Sequence, residues 1–303
     1  MKASWTRRAT LALAASAVAL LAACGDGSVV SDLKPTRFIT VGDSFADVGQ
    51  GGTKFTVNDG SLNWVQGLAS HYDQTVAPAS SSGWGYAQGY ARVESADTSS
   101  GLNTPSVKDQ IDQLLARTTM QSGDVLMVNG GMHDIVAAVE ATGISDATTT
   151  TVQAAGRALA AQVRRLVAAG ATHVTLTGVQ NVGLTPWALR RGQQTDIERL
   201  SVAFNDSLLI GVADMGANVL YFDAALFYNL INNKPENYSV DNEKDPVCTT
   251  PDASTCTPST VVAGVDYNRY LYADQLNFTP KLLRNFVDRS YGENAYDKFR
   301  NRW

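Results

Sequence analysis

A short β-branched run, Arg37-Phe38-Ile39-Thr40-Val41, is followed at once by the turn Gly42-Asp43-Ser44. The run is typical of a buried strand, and the glycine marks a sharp turn where that strand ends. A serine on a tight strand-to-helix turn presents its hydroxyl at the sheet edge beside converging backbone N–H groups, which suits a nucleophile. Ser and Asp are also common helix N-caps. This segment alone leaves both interpretations of Ser44 open.

Strand and helix patterns alternate along the rest of the chain. Further strands are predicted over residues 124–128, 173–177 and 219–222. Helices are predicted over residues 63–72, 150–169, 196–215 and 280–291, with another that begins after Ser106, and residues 232–268 are predicted to form an irregular insertion. Alternation without a break in composition predicts one α/β domain with a parallel, doubly wound sheet. Ligands bind such sheets at the carboxyl ends of the strands.

Composition excludes several classes of protein. The chain has 303 residues, of which 44% are hydrophobic and 17% charged, so a disordered tail protein is excluded. The net charge is −5 and there is no basic block, which argues against a nucleic-acid partner. Three Cys and three His are too few and too scattered for a closed zinc site. We therefore expect no structural metal.

The first residues form a targeting segment. Lys2, Arg7 and Arg8 precede a short apolar run over residues 9–20, too short to span a bilayer as a helix. The run ends on Leu21-Ala22-Ala23-Cys24, which resembles the lipobox of bacterial lipoproteins. The alternative is an ordinary secretory signal that Cys24 follows by chance.

The lipobox resemblance implies a signal peptide over residues 1–23, a lipid-anchored tether over 24–35 that starts at lipidated Cys24, and a domain over 36–303. Gly25 follows the cysteine rather than Asp, which in diderm bacteria implies export to the outer membrane. We expect a cell-envelope lipoprotein on the periplasmic or the surface face. In that oxidising compartment, Cys248 and Cys256 are predicted to form a disulfide that closes a short surface loop.

Several motifs in sequence order resemble a known family. Gly42–Gly49 resembles the first block of the GDSL or SGNH hydrolases, with Phe45 in place of the usual Leu. Segments that resemble the second, third and fifth blocks follow in order: Gly85-Tyr86-Ala87-Gln88-Gly89-Tyr90-Ala91, Gly131-Met132-His133-Asp134 and Asp274-Gln275-Leu276-Asn277-Phe278-Thr279-Pro280. The resemblance spans roughly residues 37–291 and implies a three-layer α/β/α sandwich of the SGNH hydrolase type, with no cofactor.

The resemblance also implies roles for individual residues. Ser44 is the expected nucleophile, and its backbone N–H and that of Gly89 are expected to hold the oxyanion. Two departures fall on functional positions: His133 stands where the family has an oxyanion-hole Asn, and Asn277 stands where it has the catalytic His. A carboxamide does not titrate in the useful range, so the usual relay of serine, histidine and aspartate cannot operate as in the family.

One hypothesis is that the two roles are exchanged. His133 then serves as the base or as an oxyanion donor, Asn277 supplies the missing amide donor, and Asp274 orients whichever partner it reaches. The expected activity is hydrolysis of carboxylic esters (lipid, short acyl or acetyl-sugar esters) through an acyl-enzyme on Ser44. The alternative is a catalytically impaired cell-envelope binding protein of the same fold, or an envelope scaffold without a pocket.

Overall fold

The computed structural model describes residues 33–97, 100–289 and 294–303. The predicted signal peptide over residues 1–23, Cys24 and most of the predicted tether lie outside these residues. Within the described ranges, no helix is long and apolar enough to cross a membrane.

The central sheet has four strands, β1 (Arg37–Val41), β2 (Asp124–Asn129), β3 (His173–Thr177) and β4 (Val219–Phe222). They lie side by side in chain order and run parallel, so their carboxyl ends meet at one edge. All four agree with the strands predicted from sequence, because short apolar runs that end in a turn are a strong local signal.

A short extended segment, 84–88, lies along the other side of β1. The Thr40 N–H donates to the Trp84 carbonyl at 3.0 Å, and the Tyr86 N–H donates to the Thr40 carbonyl at 2.7 Å. Segment 84–88 therefore lies on one side of β1 and β2 lies on the other, so the order in which the chain adds strands to the sheet reverses at β1. Open α/β sheets bind ligands at such a reversal point, and the Gly42-Asp43-Ser44 turn lies there.

Nine helices are present among the described residues: α1 (Trp64–Ser70), α2 (Val107–Arg117), α3 (Met132–Thr142), α4 (Asp146–Ala168), α5 (Pro186–Arg191), α6 (Gln194–Val212), α7 (Ala224–Asn233), α8 (Pro280–Asp288) and α9 (Ala295–Arg302). Alternate residues of β1 face opposite sides of the sheet. Ile39 and Val41 pack with α2, α3, α4 and α6, whereas Phe38 packs with α1, α7, α8 and α9. The three-layer α/β/α sandwich is thereby confirmed.

Helix boundaries differ from prediction where capping decides them. The long helix α4 begins at Asp146, four residues before the predicted start, because the Ser145 side chain accepts a hydrogen bond from the Thr148 N–H and caps it. Helix α3, for which the sequence analysis gave no prediction, begins directly after Gly130-Gly131. The last predicted helix ends at Asp288.

The insertion predicted to be irregular is partly ordered. Helix α7 reaches into it, and strand β5 (Asn242–Pro246) pairs in parallel with β6 (Tyr270–Tyr272). The disulfide predicted between Cys248 and Cys256 is present and closes the loop between them. We call residues 248–256 the disulfide loop.

Candidate active site

Ser44 stands on a turn that its neighbours hold in place. The Asp43 carboxylate accepts a hydrogen bond from the Phe45 N–H at 3.0 Å and another from the Asn129 side chain. The Ser44 side chain is 5% exposed, and no described residue hydrogen-bonds its Oγ. None of them accepts from its backbone N–H either. The turn therefore leaves both reactive groups of Ser44 available in a buried place.

Gly42 is needed for this turn. Its φ is +153°, and a Cβ atom here would lie 1.9 Å from the Asn129 Oδ1. The Gln110 side chain accepts from the Gly42 N–H at 2.7 Å and donates to the Gly42 carbonyl at 2.9 Å. Strand β2 thus approaches the turn closely, and α2 fixes the backbone from the other side.

A small cavity lies next to Ser44. Its other lining residues are Phe45, Phe55, Met132, Gln180, Leu276, Asn277, Phe278 and Leu283. Most of these side chains are apolar, and the polar ones are those of Ser44, Asn277 and Gln180. The fold therefore brings the fifth-block segment to the first-block serine.

Asp274 holds Asn277 by its amide nitrogen. The Asn277 Nδ2 donates to the Asp274 Oδ1 at 3.0 Å and to its Oδ2 at 2.9 Å. The Asp274 carboxylate also accepts from the backbone N–H groups of Leu276, Asn277 and Ala253. Burial raises the pKa of Asp274, while these hydrogen bonds lower it.

This geometry bears on the exchanged-role hypothesis. The Asn277 Nδ2 directs one of its two N–H bonds at both Asp274 oxygens, which leaves its second N–H and the acceptor Oδ1 for a ligand. The role of Asn277 as an amide donor to an oxyanion therefore stays a prediction, and the carboxamide orients a hydroxyl or water but does not take its proton.

The second-block glycine also differs from expectation. The Gly89 N–H donates to the Asp47 Oδ2 at 2.9 Å, so it is not available to an oxyanion here. Gly89 is needed for packing, because a Cβ atom there would lie 1.9 Å from the Phe55 ring. The next residue, Tyr90, has a φ of +67°, and no described residue accepts a hydrogen bond from its N–H. The free amide of this segment is therefore that of Tyr90.

His133 lies near the start of α3 and is 7% exposed. Its ring centroid is 4.9 Å from that of Tyr90. Burial lowers the pKa of His133 to about 4, although the Asp97 and Asp252 carboxylates oppose that shift. The imidazole is therefore neutral at pH 7, and no described residue hydrogen-bonds it.

The other two histidines lie elsewhere. His71, at the end of α1, pairs with Asp288 and stacks on Tyr296 at 4.0 Å between ring centroids. His173 is the first residue of β3, so it lies at the amino ends of the parallel strands, whereas Ser44 lies at their carboxyl ends. Of the three histidines, only His133 lies at the carboxyl edge of the strands.

Sequence analysis assigned the disulfide loop no place in the site, but the structure brings it there. The Ala253 N–H donates to the Asp274 Oδ2 at 2.9 Å, and the Tyr90 hydroxyl donates to Asp252. The Asn58 side chain anchors the loop by donating to the Ala253 and Cys256 carbonyls at 3.2 and 3.1 Å. No local spacing signals these contacts, since they join segments far apart in sequence.

The described part of the chain contains no group of three or more His, Cys, Asp or Glu side chains arranged to hold a metal ion. A buried serine, an Asp–Asn pair and free backbone amides thus lie at the carboxyl edge of the strands of an α/β/α sandwich.

The profile of the GDSL-like lipase/acylhydrolase family matches residues 38–289, and the chain belongs to that family. No curated protein matches the chain significantly. Among solved structures, one is 17% identical with a TM-score of 0.45 and covers 84% of this chain and 95% of its own. Phospholipase A1 from Streptomyces albidoflavus NA297 is 15% identical with a TM-score of 0.40, over 81% of this chain and 93% of its own.

Proposed function

We propose that the protein is a serine ester hydrolase that forms an acyl-enzyme on Ser44. The observation that carries the proposal is the Ser44 hydroxyl, which lies without a partner in a cavity that it shares with Asn277. A buried, unpaired polar group costs free energy, and such groups in native proteins call for an explanation. An incoming ester supplies the missing partner.

The reaction has two steps. Ser44 Oγ attacks the ester carbonyl carbon, its proton passes to a base, and the C–O bond to the alcohol breaks as that proton is returned to the leaving oxygen. Water then attacks the acyl-enzyme carbonyl and releases the acid and the Ser44 hydroxyl. The free N–H groups of Ser44 and Tyr90 are the proposed donors to the oxyanion, in place of Gly89.

His133 is the proposed proton acceptor. It is the one histidine at the catalytic edge, and it is neutral at pH 7 because burial lowers its pKa to about 4. A neutral imidazole accepts a proton, but with a low pKa it is a weak base. The proposed enzyme is accordingly slow compared with one that has an ordinary histidine.

The test is the initial rate of p-nitrophenyl acetate hydrolysis by residues 25–303 and by its Ser44→Ala variant. Ser201→Ala is the matched control, because Ser201 is also buried but belongs to α6. We expect the rate to vanish in Ser44→Ala and to persist in the control. Equal rates in Ser44→Ala and the parent would contradict the proposal, and ligand binding without turnover would then indicate the binding-protein alternative.

We also propose that the mature chain is a lipoprotein of the outer membrane, anchored through Cys24. The support is the lipobox resemblance alone. The test is incorporation of labelled palmitate into the full chain expressed in a diderm bacterium, followed by membrane fractionation. Cys24→Ser is expected to abolish both the labelling and the recovery in the membrane fraction. A parent chain that is soluble and carries no label would contradict the proposed lipid anchor.

A further inference from the structure

We propose that this hydrolase transfers short acyl groups, with acetyl as the preferred size, and that Leu283 sets the limit. The inference rests on the proposed function, since it concerns the substrate of the Ser44 site. It is carried by the size of the cavity at Ser44 and by the packing of the walls around it.

The cavity holds one small group. The centre of a water-sized sphere can move within only about 10 Å³ of it. A single water needs about this much space, and a methyl group is of comparable size. The methyl of an acetyl group attached to Ser44 Oγ therefore fills the cavity, whereas each further methylene of a longer chain has to displace a wall.

One wall resists displacement because it belongs to the aromatic core. The Phe278 ring stacks on Tyr228 with centroids 3.6 Å apart and on Tyr272 at 5.3 Å. Phe45 stacks on Trp64 at 5.4 Å. Close-packed interiors transmit strain rather than yield locally, so these rings do not open a channel for an acyl chain at low cost.

The small space beside Ser44 suits the acyl part of the ester rather than the alcohol. After the first step the acyl group stays bonded to Ser44, while the alcohol has to leave and water has to enter. A closed pocket on the leaving side would hinder both movements. The alcohol is therefore expected to point outward, and its size is not limited by this cavity.

Leu283 is the wall residue that a substitution can remove with least change elsewhere. It lies on α8, is 4% exposed and lines the cavity. Replacement by Ala removes three carbon atoms beside Ser44, which makes room for an acyl chain longer by about that many carbons. Leu282, its neighbour on α8, is fully buried but does not line the cavity, so Leu282→Ala is the matched control.

The experiment measures kcat/KM for p-nitrophenyl acetate, butyrate and octanoate with the parent, Leu283→Ala and Leu282→Ala, each corrected for the rate of Ser44→Ala. We expect the parent to lose at least tenfold from acetate to octanoate. Leu283→Ala is expected to raise the butyrate-to-acetate ratio at least fivefold, and Leu282→Ala to leave that ratio within twofold of the parent's.

Octanoate hydrolysis as fast as acetate hydrolysis by the parent would overturn the inference while leaving the proposed function intact. An unchanged butyrate-to-acetate ratio in Leu283→Ala, with the variant folded by circular dichroism, would overturn the role of Leu283. Hydrolysis of no ester above the Ser44→Ala rate would overturn the proposed function, and the acyl-size limit would fall with it.

Discussion

Replacing Asn277 by His is expected to turn this site into an efficient relay. The Asn277 amide nitrogen already donates to both oxygens of Asp274, at 3.0 and 2.9 Å. An imidazole Nδ1–H can take the same place, and its Nε2 then points where the Asn277 Oδ1 points now. The Asp274 carboxylate accepts three backbone N–H groups as well, so it needs no rearrangement to receive the ring.

The size of the effect follows from what is missing. A positioned general base contributes about 10²- to 10⁴-fold, which corresponds to about 3–5 kcal/mol of barrier. We expect the lower half of that range, because the larger imidazole takes up part of the small cavity beside Ser44. The assay is kcat/KM for p-nitrophenyl acetate, with the pH dependence of the rate as a second readout.

Two controls separate a restored relay from a general change. Asn277→Gln keeps a carboxamide and is expected to gain nothing. Asn277→His combined with Ser44→Ala is expected to return to the buffer rate. If Asn277→His folds with an unchanged melting temperature and shows no gain, then position 277 does not face the Ser44 hydroxyl productively and the reasoning is refuted.

Three further predictions follow from particular contacts. Burial lowers the pKa of His133 to about 4, and an unfolded chain takes up that proton below pH 6.5. His133 therefore costs stability as the pH falls from 6.5 toward 4, by about 3 kcal/mol at pH 4. The measurement is the free energy of unfolding in urea, for the parent and for His133→Asn, at pH 7 and at pH 4. The value for the parent minus the value for the variant should be lower at pH 4 than at pH 7 by that amount, and an equal difference at the two pH values would contradict the prediction. Ala253→Pro removes the N–H that holds Asp274, at a helical first position that proline tolerates. A hydrogen bond to a charged group is worth about 1.5–3 kcal/mol, so kcat/KM should drop about tenfold to a hundredfold relative to Ala253→Gly, and equal rates in the two variants would exclude this positioning role. Gly42→Ala drives a Cβ atom into Asn129 and should lower the free energy of unfolding by more than about 2 kcal/mol. A melting temperature equal to the parent's would show that the turn is less constrained than its geometry indicates.

Local sequence determined much of the fold. The strands were predictable because buried β-branched runs and the turns that end them are signals contained within a few residues. The Ser106 cap is of the same kind, since its hydroxyl accepts from the Asp109 N–H and donates to the Asp109 carboxylate, three residues away. The disulfide was predictable because Cys248 and Cys256 are close in sequence. Helix α3 was not predicted from the sequence, and in the structure it begins directly after Gly131, which has a φ of +113°.

The candidate site residues could be named from the sequence, and their catalytic roles stay predictions, but their hydrogen bonds could not be predicted. Motif order singled out Ser44, Asp274, His133 and Asn277. Which N–H groups remain free depends on segments far apart in the chain: Gly89 lost its amide to Asp47, 42 positions away, and the amide of Tyr90 was left without an acceptor. A hydrogen bond has a direction as well as a length, and direction is set only when the elements pack. The sequence thus determined the strands and the candidate residues, whereas the tertiary structure decided which of their polar atoms have a hydrogen-bond partner.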